Sequence, residues 1–411
     1  MRKLPLKYFI PAVAVLFLSL SVRAWDDAGH KLSAYIAWQQ MSPEAREKAF
    51  ELLIKAPEDS DLSVYYNAYE SRSAAAKKLE LFMMAATWAD VIRNRDFKVR
   101  YEKYNHSDWH YADIFWKQNG DQAEILENFP EESGKAIPKL SDFEKTLRDP
   151  QASEADKAVA LAWFLHVGGD IHNPLHNASR VTEMEPKGDQ GGNLFLLSPQ
   201  DAPREARLNL HSFWDSIITR NMPRKNDACD ADYIAEVAKK VMKKYPFSKM
   251  KDRIKPGDFR AWHQEGFRLL PTAVYDDLKR NQMPPKKYLK NSFRIGQEEL
   301  VLAGYRLGET LNRIFSEKNG ATGQIPSGDC RIIQRVLYPV SKRRTPDQKM
   351  RIALLDICPE NRGIIARPMT SAIIDGEMKY FEYDVIRVFE NEEEANKFAR
   401  ENSIKTAKFN K

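Results

Sequence analysis

Residues 166–176 read His-Val-Gly-Gly-Asp-Ile-His-Asn-Pro-Leu-His, and residues 209–215 read Asn-Leu-His-Ser-Phe-Trp-Asp. Both stretches contain the pattern His-x-x-x-Asp, formed by His166 with Asp170 and by His211 with Asp215. On a helix this spacing places an imidazole and a carboxylate on one face, one turn apart. Imidazole nitrogens and carboxylate oxygens are ligands of divalent ions such as zinc. The two stretches therefore predict helices that share a site for several metal ions.

A His-Asp pair at this spacing has a simpler explanation, a hydrogen bond or ion pair on a solvated helix face. The neighbouring residues disfavour that explanation. Phe164 and Leu165 precede the first histidine, and Phe213 and Trp214 follow the second. Because such apolar surroundings indicate burial, and buried His-Asp pairs are typical of functional sites, the pairs favour metal binding.

Outward from these stretches, helical patterns extend over residues 25–316. Ser42 followed by Pro43 is typical of a helix start. Apolar residues recur at three- and four-residue spacing in 153–168, 230–244 and 293–314. Strand-like alternation is scarce in this part of the chain. The pattern predicts a mainly α, multi-helix domain over 25–316.

The texture of the sequence changes after this region. Residues 317–326 are rich in glycine and polar residues and are typical of a linker. Beyond it, β-branched runs at 331–340, 350–357, 363–367 and 381–389 predict strands, and 391–402 predicts a helix. The sequence therefore predicts a separate, small α+β domain over 327–411, whose role it does not indicate.

The N-terminus has the pattern of a secretory leader. Arg2, Lys3 and Lys7 precede an apolar run over 8–20, and the segment ends in Ser21-Val-Arg-Ala24. The run is too short for a membrane span of about 20 residues. We expect cleavage after Ala24, which gives a secreted or periplasmic protein.

Charge and cysteine content add little about partners. The overall composition, 43% hydrophobic and 30% charged, is that of an ordinary globular protein. The net charge is +6, and the leader holds four basic residues and no acid, which leaves +2 for the rest. This charge is too small to identify a polyanionic partner. With three cysteines in an exported protein, we expect a disulfide between Cys330 and Cys358 and a free Cys229.

Other candidate ligands are ambiguous when taken singly. His110 lies among aromatic residues, where a structural role is the more common one. Asp90 lies in an apolar helix and needs a cation, which either Arg93 or a metal could provide. Cleavage after Ala24 would make Trp25 the first residue, so that its amine and carbonyl could chelate a metal near His30. Trp25 could equally be only the residue at which the leader ends.

Taken together, these motifs resemble a known family. In order along the chain they are Trp25-x4-His30, Trp-Ala-Asp90-x-x-Arg93, His110-x-x-Asp113, the 166–176 stretch, Gly-Gly-Asn193 and the 209–215 stretch. This set resembles the zinc-dependent, single-strand-preferring S1/P1 nucleases, which share their fold with trinuclear-zinc phospholipases C. The resemblance covers about 25–316. It departs from the family at Asp26, where glycine is usual, and in the added C-terminal domain.

The resemblance implies three zinc ions held by nine residues. One ion would be bound by Asp90, His110, His166 and Asp170. A second would be bound by His176, His211 and Asp215. The third would be bound by the amine and carbonyl of Trp25, by His30, and by Asp170 as a bridge.

The resemblance also implies an activity and residues for it. We expect hydrolysis of single-stranded DNA and RNA to 5′-phosphate products, with 3′-nucleotidase activity as a further expectation. Asp90 would orient the attacking water, Arg93 would neutralise phosphate oxygens, and Asp113 would tune the site. Tyr111 is the candidate for base stacking and Asn193 for a hydrogen bond to the base. For Tyr111, ordinary core packing is an equal alternative.

Two other functions remain open at the level of the sequence. A phospholipase C of the same fold usually ends its last zinc motif in Glu, whereas this chain has Asp215. A non-catalytic zinc-binding interaction protein would be expected to have lost ligands, and none is missing. Cleavage of single-stranded DNA compared with phosphatidylcholine would distinguish these functions.

Overall fold

The computed structural model describes residues 25–66, 73–131, 133–203, 206–224 and 230–316, together with the backbone of five strands between 331 and 408. The expected leader (1–24), the linker (317–326), the helix expected at 391–402 and the three cysteines lie outside the described residues. The expected disulfide between Cys330 and Cys358 therefore stays a prediction. The chain divides into two compact units, Met1–Asn319 and Gly320–Lys411.

The first unit is built mainly from α-helices, which confirms the predicted fold class. Its helices in the described residues are α1 (Asp27–Gln40), α2 (Pro43–Leu53), α3 (Ala74–Val91), α4 (Lys98–Tyr104), α5 (Ala136–Arg148), α6 (Glu154–Asp170), α7 (Leu210–Asp215), α8 (Ile217–Asn221), α9 (Asp230–Lys244), α10 (Phe247–Met250), α11 (Phe259–Arg268) and α12 (Lys286–Ser316). Short 3₁₀ turns cover Glu58–Ser60, Ser63–Tyr66, Ser107–Trp109, Pro174–His176 and Lys251–Arg253, and a π turn covers Leu270–Val274.

Local capping rules explain where the central helices begin. The Ser42 hydroxyl accepts a hydrogen bond from the Ala45 amide at 3.1 Å, and Pro43 occupies the first turn of α2. The Ser153 hydroxyl likewise accepts from the Asp156 amide at 3.0 Å at the start of α6. These caps satisfy amides that have no partner within the helix. The predicted starts of both helices are confirmed.

Helix α6 lies at the centre of the first unit. It is buried on nearly all sides and packs against α3, α5 and α2, with further contacts to α1 and α12. A helix that is apolar on every face is stable only in such a position. The helix ends at Asp170, so His166 and Asp170 project from its last turn into the interior of the bundle.

A small sheet, which the sequence does not predict, lies beside this bundle. It contains β1 (Ile114–Asn119), β2 (Gln122–Ile125) and β3 (Ala178–Arg180) in the order β2-β1-β3. Strands β1 and β2 form an antiparallel hairpin, and β3 pairs with β1 in parallel. The parallel pairing brings the chain after His110 next to the chain after His176.

The second unit contains a five-stranded sheet. Its strands are β4 (Arg331–Pro339), β5 (Arg351–Ile357), β6 (Met369–Ile374), β7 (Glu377–Val388) and β8 (Thr406–Lys408), in the order β6-β7-β4-β5-β8. Three of the predicted strands correspond to β4, β5 and part of β7. The sequence did not predict β6 or β8, and the predicted strand at 363–367 lies outside the described residues.

None of the helices in the described part of the chain has the length and hydrophobicity needed to cross a bilayer.

Candidate metal centre

The predicted ligands converge from six parts of the first unit. Three groups of side chains, with ligand atoms within 4.8 Å of one another, could each hold an ion. They are His30-His166-Asp170, Asp90-His110-His166 and His176-His211-Asp215. His166 belongs to the first two groups, which therefore form one contiguous cluster. All eight side chains of the three groups are among the ligands predicted from the sequence, and their binding of metal stays a prediction.

Asp170 lies between two sets of imidazoles. Its Oδ1 is 3.2 Å from His30 Nε2. Its Oδ2 is 3.2 Å from His110 Nδ1 and 3.3 Å from His166 Nε2. The carboxylate is fully buried. Each of its oxygens therefore faces a different part of the cluster, as a bridging ligand would.

Three of the histidines are each oriented by a hydrogen bond between Nδ1 and a backbone carbonyl. The Nδ1 atom of His166 lies 2.7 Å from the Ala86 carbonyl, that of His176 lies 2.8 Å from the His110 carbonyl, and that of His211 lies 2.8 Å from the Gly191 carbonyl. A carbonyl only accepts, so each Nδ1 must carry the proton and each Nε2 carries the lone pair of its ring. A carbonyl on the second ring nitrogen is typical of histidines that bind metals.

These Nε2 atoms point at the buried carboxylates. In the third group, His211 Nε2 lies 3.5 Å from Asp215 Oδ2 and His176 Nε2 lies 3.9 Å from Asp215 Oδ1. His176 Nε2 is buried and has no hydrogen-bond partner among the described residues. A buried nitrogen lone pair without a donor is unfavourable unless a cation occupies the space in front of it.

Burial favours the uncharged form of the ionisable groups at the site. It lowers the pKa of His110 and His176 well below the ordinary range, which keeps these imidazoles neutral. It raises the pKa of Asp170 and Asp215 well above the ordinary range. Neutral imidazoles are the form that binds a metal, and a cation offsets the cost of the buried carboxylates. The donor set and its surroundings therefore fit divalent metal ions.

Trp25 lies against the same cluster. Its side chain is fully buried, and its indole Nε1 donates to the Gly169 carbonyl at 2.9 Å, next to Asp170. The amide of Asp26 donates to the Asp215 carbonyl at 3.0 Å. The backbone of residue 25 is therefore held between α6 and α7. Its role as a metal ligand through the amine and carbonyl stays a prediction.

Asp90 lies beside Arg93 and at the edge of a group that could hold a metal, so both cations that the sequence left as alternatives stay open. Its Oδ1 lies 3.0 Å from Arg93 Nη1, one turn later at the end of α3. The same oxygen lies 4.0 Å from His166 Nε2 at the edge of the metal cluster. Asp90 and Arg93 keep partly exposed side chains, at 21% and 17%. They therefore lie where the cluster opens to solvent.

A cavity of about 510 Å³ adjoins the third group. It is lined by His176 and His211 on one side and by Tyr111, Asp113 and Asn193 among other residues. The Asn193 amide donates to the Gln190 carbonyl at 2.8 Å, which fixes its orientation at the wall. Tyr111, Asp113 and Asn193 thus share one cavity, of a size typical for small ligands, and Asp90 and Arg93 do not line it.

Several supporting groups were missed by reasoning from the sequence. Asn173 is fully buried and donates to Asp215 Oδ1 at 2.7 Å. The carbonyls of Ala86, His110 and Gly191 orient histidines, and a backbone carbonyl leaves no trace in residue type. The signal that could have found Asn173 is its place within the 166–176 stretch, as a polar residue in an apolar helix end.

His172, also in the 166–176 stretch, connects two helices. Its Nδ1 lies 2.7 Å from the Gly168 carbonyl, and Arg306 donates to its Nε2 at 3.0 Å. These contacts connect the end of α6 to α12. His172 therefore fixes the helix that holds Asp170, and its ring makes no hydrogen bond to the three groups among the described residues.

Comparison with known proteins gives consistent matches. The model of a family described as S1/P1 nuclease matches residues 25–316. Endonuclease 1 of Arabidopsis thaliana is 23% identical over 328 residues, which cover 76% of this chain and 93% of that protein. Nuclease S1 of Aspergillus oryzae is 23% identical over 322 residues, which cover 74% of this chain and 97% of that protein. Endonuclease 5 of Arabidopsis thaliana is 26% identical over a shorter stretch of 181 residues.

Proposed function

Because the chain belongs to the S1/P1 nuclease family and is thus a hydrolase that acts on phosphodiester bonds, we propose that it is an exported, zinc-dependent endonuclease for single-stranded DNA and RNA. The resemblance that the sequence suggested is confirmed at the level of the family. The observation that supports a metal-dependent reaction best is the shared orientation of His166, His176 and His211. Each has its Nδ1 on a carbonyl and its Nε2 towards a buried carboxylate.

We propose zinc in particular, with three ions. Neutral imidazoles mixed with carboxylates are a typical zinc ligand set. The ligands would be divided as the resemblance implies, into Asp90, His110, His166 and Asp170 for one ion, His176, His211 and Asp215 for another, and Trp25, His30 and Asp170 for the last. The position of Asp170, with one oxygen towards His30 and the other towards His110 and His166, supports a shared carboxylate.

When bound, the ions would supply a water of lowered pKa and would offset negative charge on the phosphate. The residues of the chain have the other tasks. Asp90 would orient the attacking water through its carboxylate. Arg93, held 3.0 Å from Asp90, would donate to phosphate oxygens that gain charge during attack. The new P–O bond forms to water as the bond to the 3′-oxygen breaks, which leaves a 5′-phosphate.

The cavity beside the third group is the proposed position for a base. Tyr111 would stack on it, and Asn193 would donate or accept a hydrogen bond at its edge. Burial raises the pKa of Asp113 well above its ordinary range. A protonated carboxyl at this position would add a hydrogen-bond donor to the cavity. Because a base enters such a cavity only when it is unstacked, single strands should be preferred to duplexes.

Export is supported by the leader-like segment before Trp25. The mature protein would lie outside the cytoplasm, in the periplasm or the medium. We further propose 3′-nucleotidase activity, because a 3′-phosphate in the same position presents the same leaving group as a phosphodiester. The separation of 327–411 from the catalytic domain by a linker at 317–326 stays a prediction.

One experiment tests the proposed function directly. The mature protein, beginning at Trp25, is analysed for metal by mass spectrometry and is assayed on single-stranded DNA, duplex DNA and phosphatidylcholine. We expect about three zinc ions for each chain and cleavage of single-stranded DNA well above that of the duplex. Release of phosphocholine without DNA cleavage would instead indicate a phospholipase. Zinc binding without any hydrolysis would indicate a non-catalytic role, and absence of bound zinc would contradict the proposed cofactor.

A further inference from the structure

Asp189 is a buried carboxylate that belongs to none of the three metal groups. It is fully buried in the segment that follows β3. Its Oδ1 accepts hydrogen bonds from the amides of Arg180 at 2.9 Å and Gly192 at 3.2 Å. Its Oδ2 accepts from the Tyr275 hydroxyl at 2.6 Å. Burial of a carboxylate is costly unless its oxygens are hydrogen-bonded. The buried position of Asp189 therefore indicates that the structure needs its oxygens to accept these three hydrogen bonds.

The loop that follows Asp189 has an unusual backbone. Gln190, Gly191 and Gly192 all have positive φ angles, of 54°, 59° and 81°. Glycine adopts such angles readily, whereas the angle is unfavourable for an L-amino acid such as Gln190. A Cβ atom on Gly191 would lie 2.3 Å from the Leu175 carbonyl oxygen. The loop therefore passes close to the turn that holds His176, and its conformation needs hydrogen bonds from outside the loop.

This loop contacts the third metal group directly. The Gly191 carbonyl lies 2.8 Å from His211 Nδ1 and turns His211 Nε2 towards Asp215. The amide of Gly192, in the next residue, is the one that Asp189 binds. Gly191 and Asn193 also form part of the cavity wall. A displacement of the loop would therefore move a metal ligand and the wall of the cavity together.

Tyr275 holds the other oxygen of Asp189 in place. Its ring is stacked under the Arg180 guanidinium, whose central carbon lies 3.9 Å from the ring centroid. The ring also makes edge contacts with Trp116 and Phe195. Tyr275 is almost fully buried, so the direction of its hydroxyl is fixed by packing. The pair connects β3, the loop and the turn before α12.

From these contacts we infer that Asp189 is a positioning residue, which with Tyr275 holds the 190–193 loop so that the Gly191 carbonyl orients His211 for metal binding. The inference rests on the proposed function, because it takes His211 as a metal ligand. It concerns one ion, since among the described residues the 190–193 loop makes no hydrogen bond to His30, Asp90, His110, His166 or Asp170.

The test compares three variants by metal affinity. In Asp189→Ala both acceptors are lost, and we expect one of the three ions to bind about 10- to 100-fold more weakly in competition with a chelator, with the other two unchanged. In Asp189→Asn the amide oxygen still accepts from both backbone amides, and its nitrogen can donate to the Tyr275 oxygen. Its affinities should therefore stay close to those of the wild type. Tyr275→Phe should weaken the same ion by a smaller factor.

Thr310→Val is the matched control for a general loss of stability. Thr310 is fully buried in α12 and accepts a hydrogen bond from the Gly257 amide at 3.1 Å. The control should lower the melting temperature without changing the affinity of any single ion. Equal affinities in Asp189→Ala and the wild type, or equal weakening of all three ions, would overturn the inference. A wild-type protein without bound metal would instead overturn the proposed function, so the two failures are distinguishable.

Discussion

Replacement of Asp170 by Asn tests the proposed bridge between two ions. The side chain is fully buried, and its two oxygens lie 3.2 to 3.3 Å from nitrogens of His30, His110 and His166. Asparagine keeps one oxygen and replaces the other by an NH₂ group, which cannot bind a cation. Whichever way the amide is turned, one part of the cluster loses a ligand.

The expected loss can be estimated from supporting residues of metal sites. Mutation of a residue that only supports a ligand lowers metal affinity by about 10- to 100-fold. Loss of the ligand itself should exceed this range, so we expect at least about 100-fold weaker binding of one ion, or about 2.7 kcal/mol. If that ion contributes about 4 kcal/mol to the transition state, kcat/KM falls by about three orders of magnitude.

The metal-free protein should respond in the opposite direction. Burial raises the pKa of Asp170 well above its ordinary range, so the folded protein disfavours the carboxylate when no cation is present. The neutral asparagine removes this cost and should make the metal-free protein more stable by about 1 kcal/mol. The variant should therefore melt later than the wild type without metal and earlier with saturating zinc.

Thermal unfolding with and without zinc, together with a metal count and a nuclease assay, measures these effects. Asp142→Asn is the control, because Asp142 lies on the surface, 59% exposed, in an ion pair with Lys139. This control should leave all three measurements unchanged. Three bound ions and near-normal turnover in Asp170→Asn would refute the bridge. Destabilisation of equal size with and without zinc would show that Asp170 acts only on the fold.

Three further predictions concern other parts of the first unit. One extra residue before Trp25 should abolish the binding of one ion, because an amide nitrogen cannot replace the free amine. Metal analysis measures this, and three ions in the extended protein would contradict the proposed ligand. Tyr111→Ala should raise KM for single-stranded DNA about 10-fold or more through lost stacking, and Tyr111→Phe should stay close to the wild type. Equal KM values for Tyr111→Ala and the wild type in steady-state assays would favour simple core packing. Burial raises the pKa of Glu299 from its ordinary value of 4.5 to about 7, so the stability that this group contributes is fully present below pH 4.5 and is lost as the pH rises through about 7. Between pH 5 and pH 8, the free energy of unfolding of the metal-free wild type should fall by about 3 kcal/mol more than that of Glu299→Gln, as measured in urea. Identical pH profiles of the two proteins would contradict the raised pKa.

The local part of the site could be predicted from the sequence. Ser153 begins α6, and the spacing of His166 and Asp170 places both side chains on one face of its last turn. These features depend on residues that are close in the chain, where capping and helical periodicity decide the structure. The order of the motifs then gave the ligands from the other elements through the resemblance to a family.

The supporting contacts could not be predicted in the same way. Strand β3 pairs with β1 between Ala178 and Ile114, residues far apart in the chain, and it has only three residues. Such a short segment has no periodicity that could reveal it. Asp189 appears in a polar loop of the sequence, yet it is fully buried. Only the packing of Tyr275 and the positive φ angles of the following loop explain why a carboxylate is needed there.

The two His-x-x-x-Asp pairs have the same spacing but unequal surroundings, and the difference comes from the helices that hold them. Helix α6 is long and buried on nearly all sides, so Asp170 at its end meets imidazoles from α1, from the 3₁₀ turn before β1 and from α6 itself. Helix α7 has only six residues, and Asp215 meets His176, His211 and the Asn173 amide. Because the Asp26 amide donates to the Asp215 carbonyl while the Trp25 indole donates to Gly169, the start of α1 joins the two pairs.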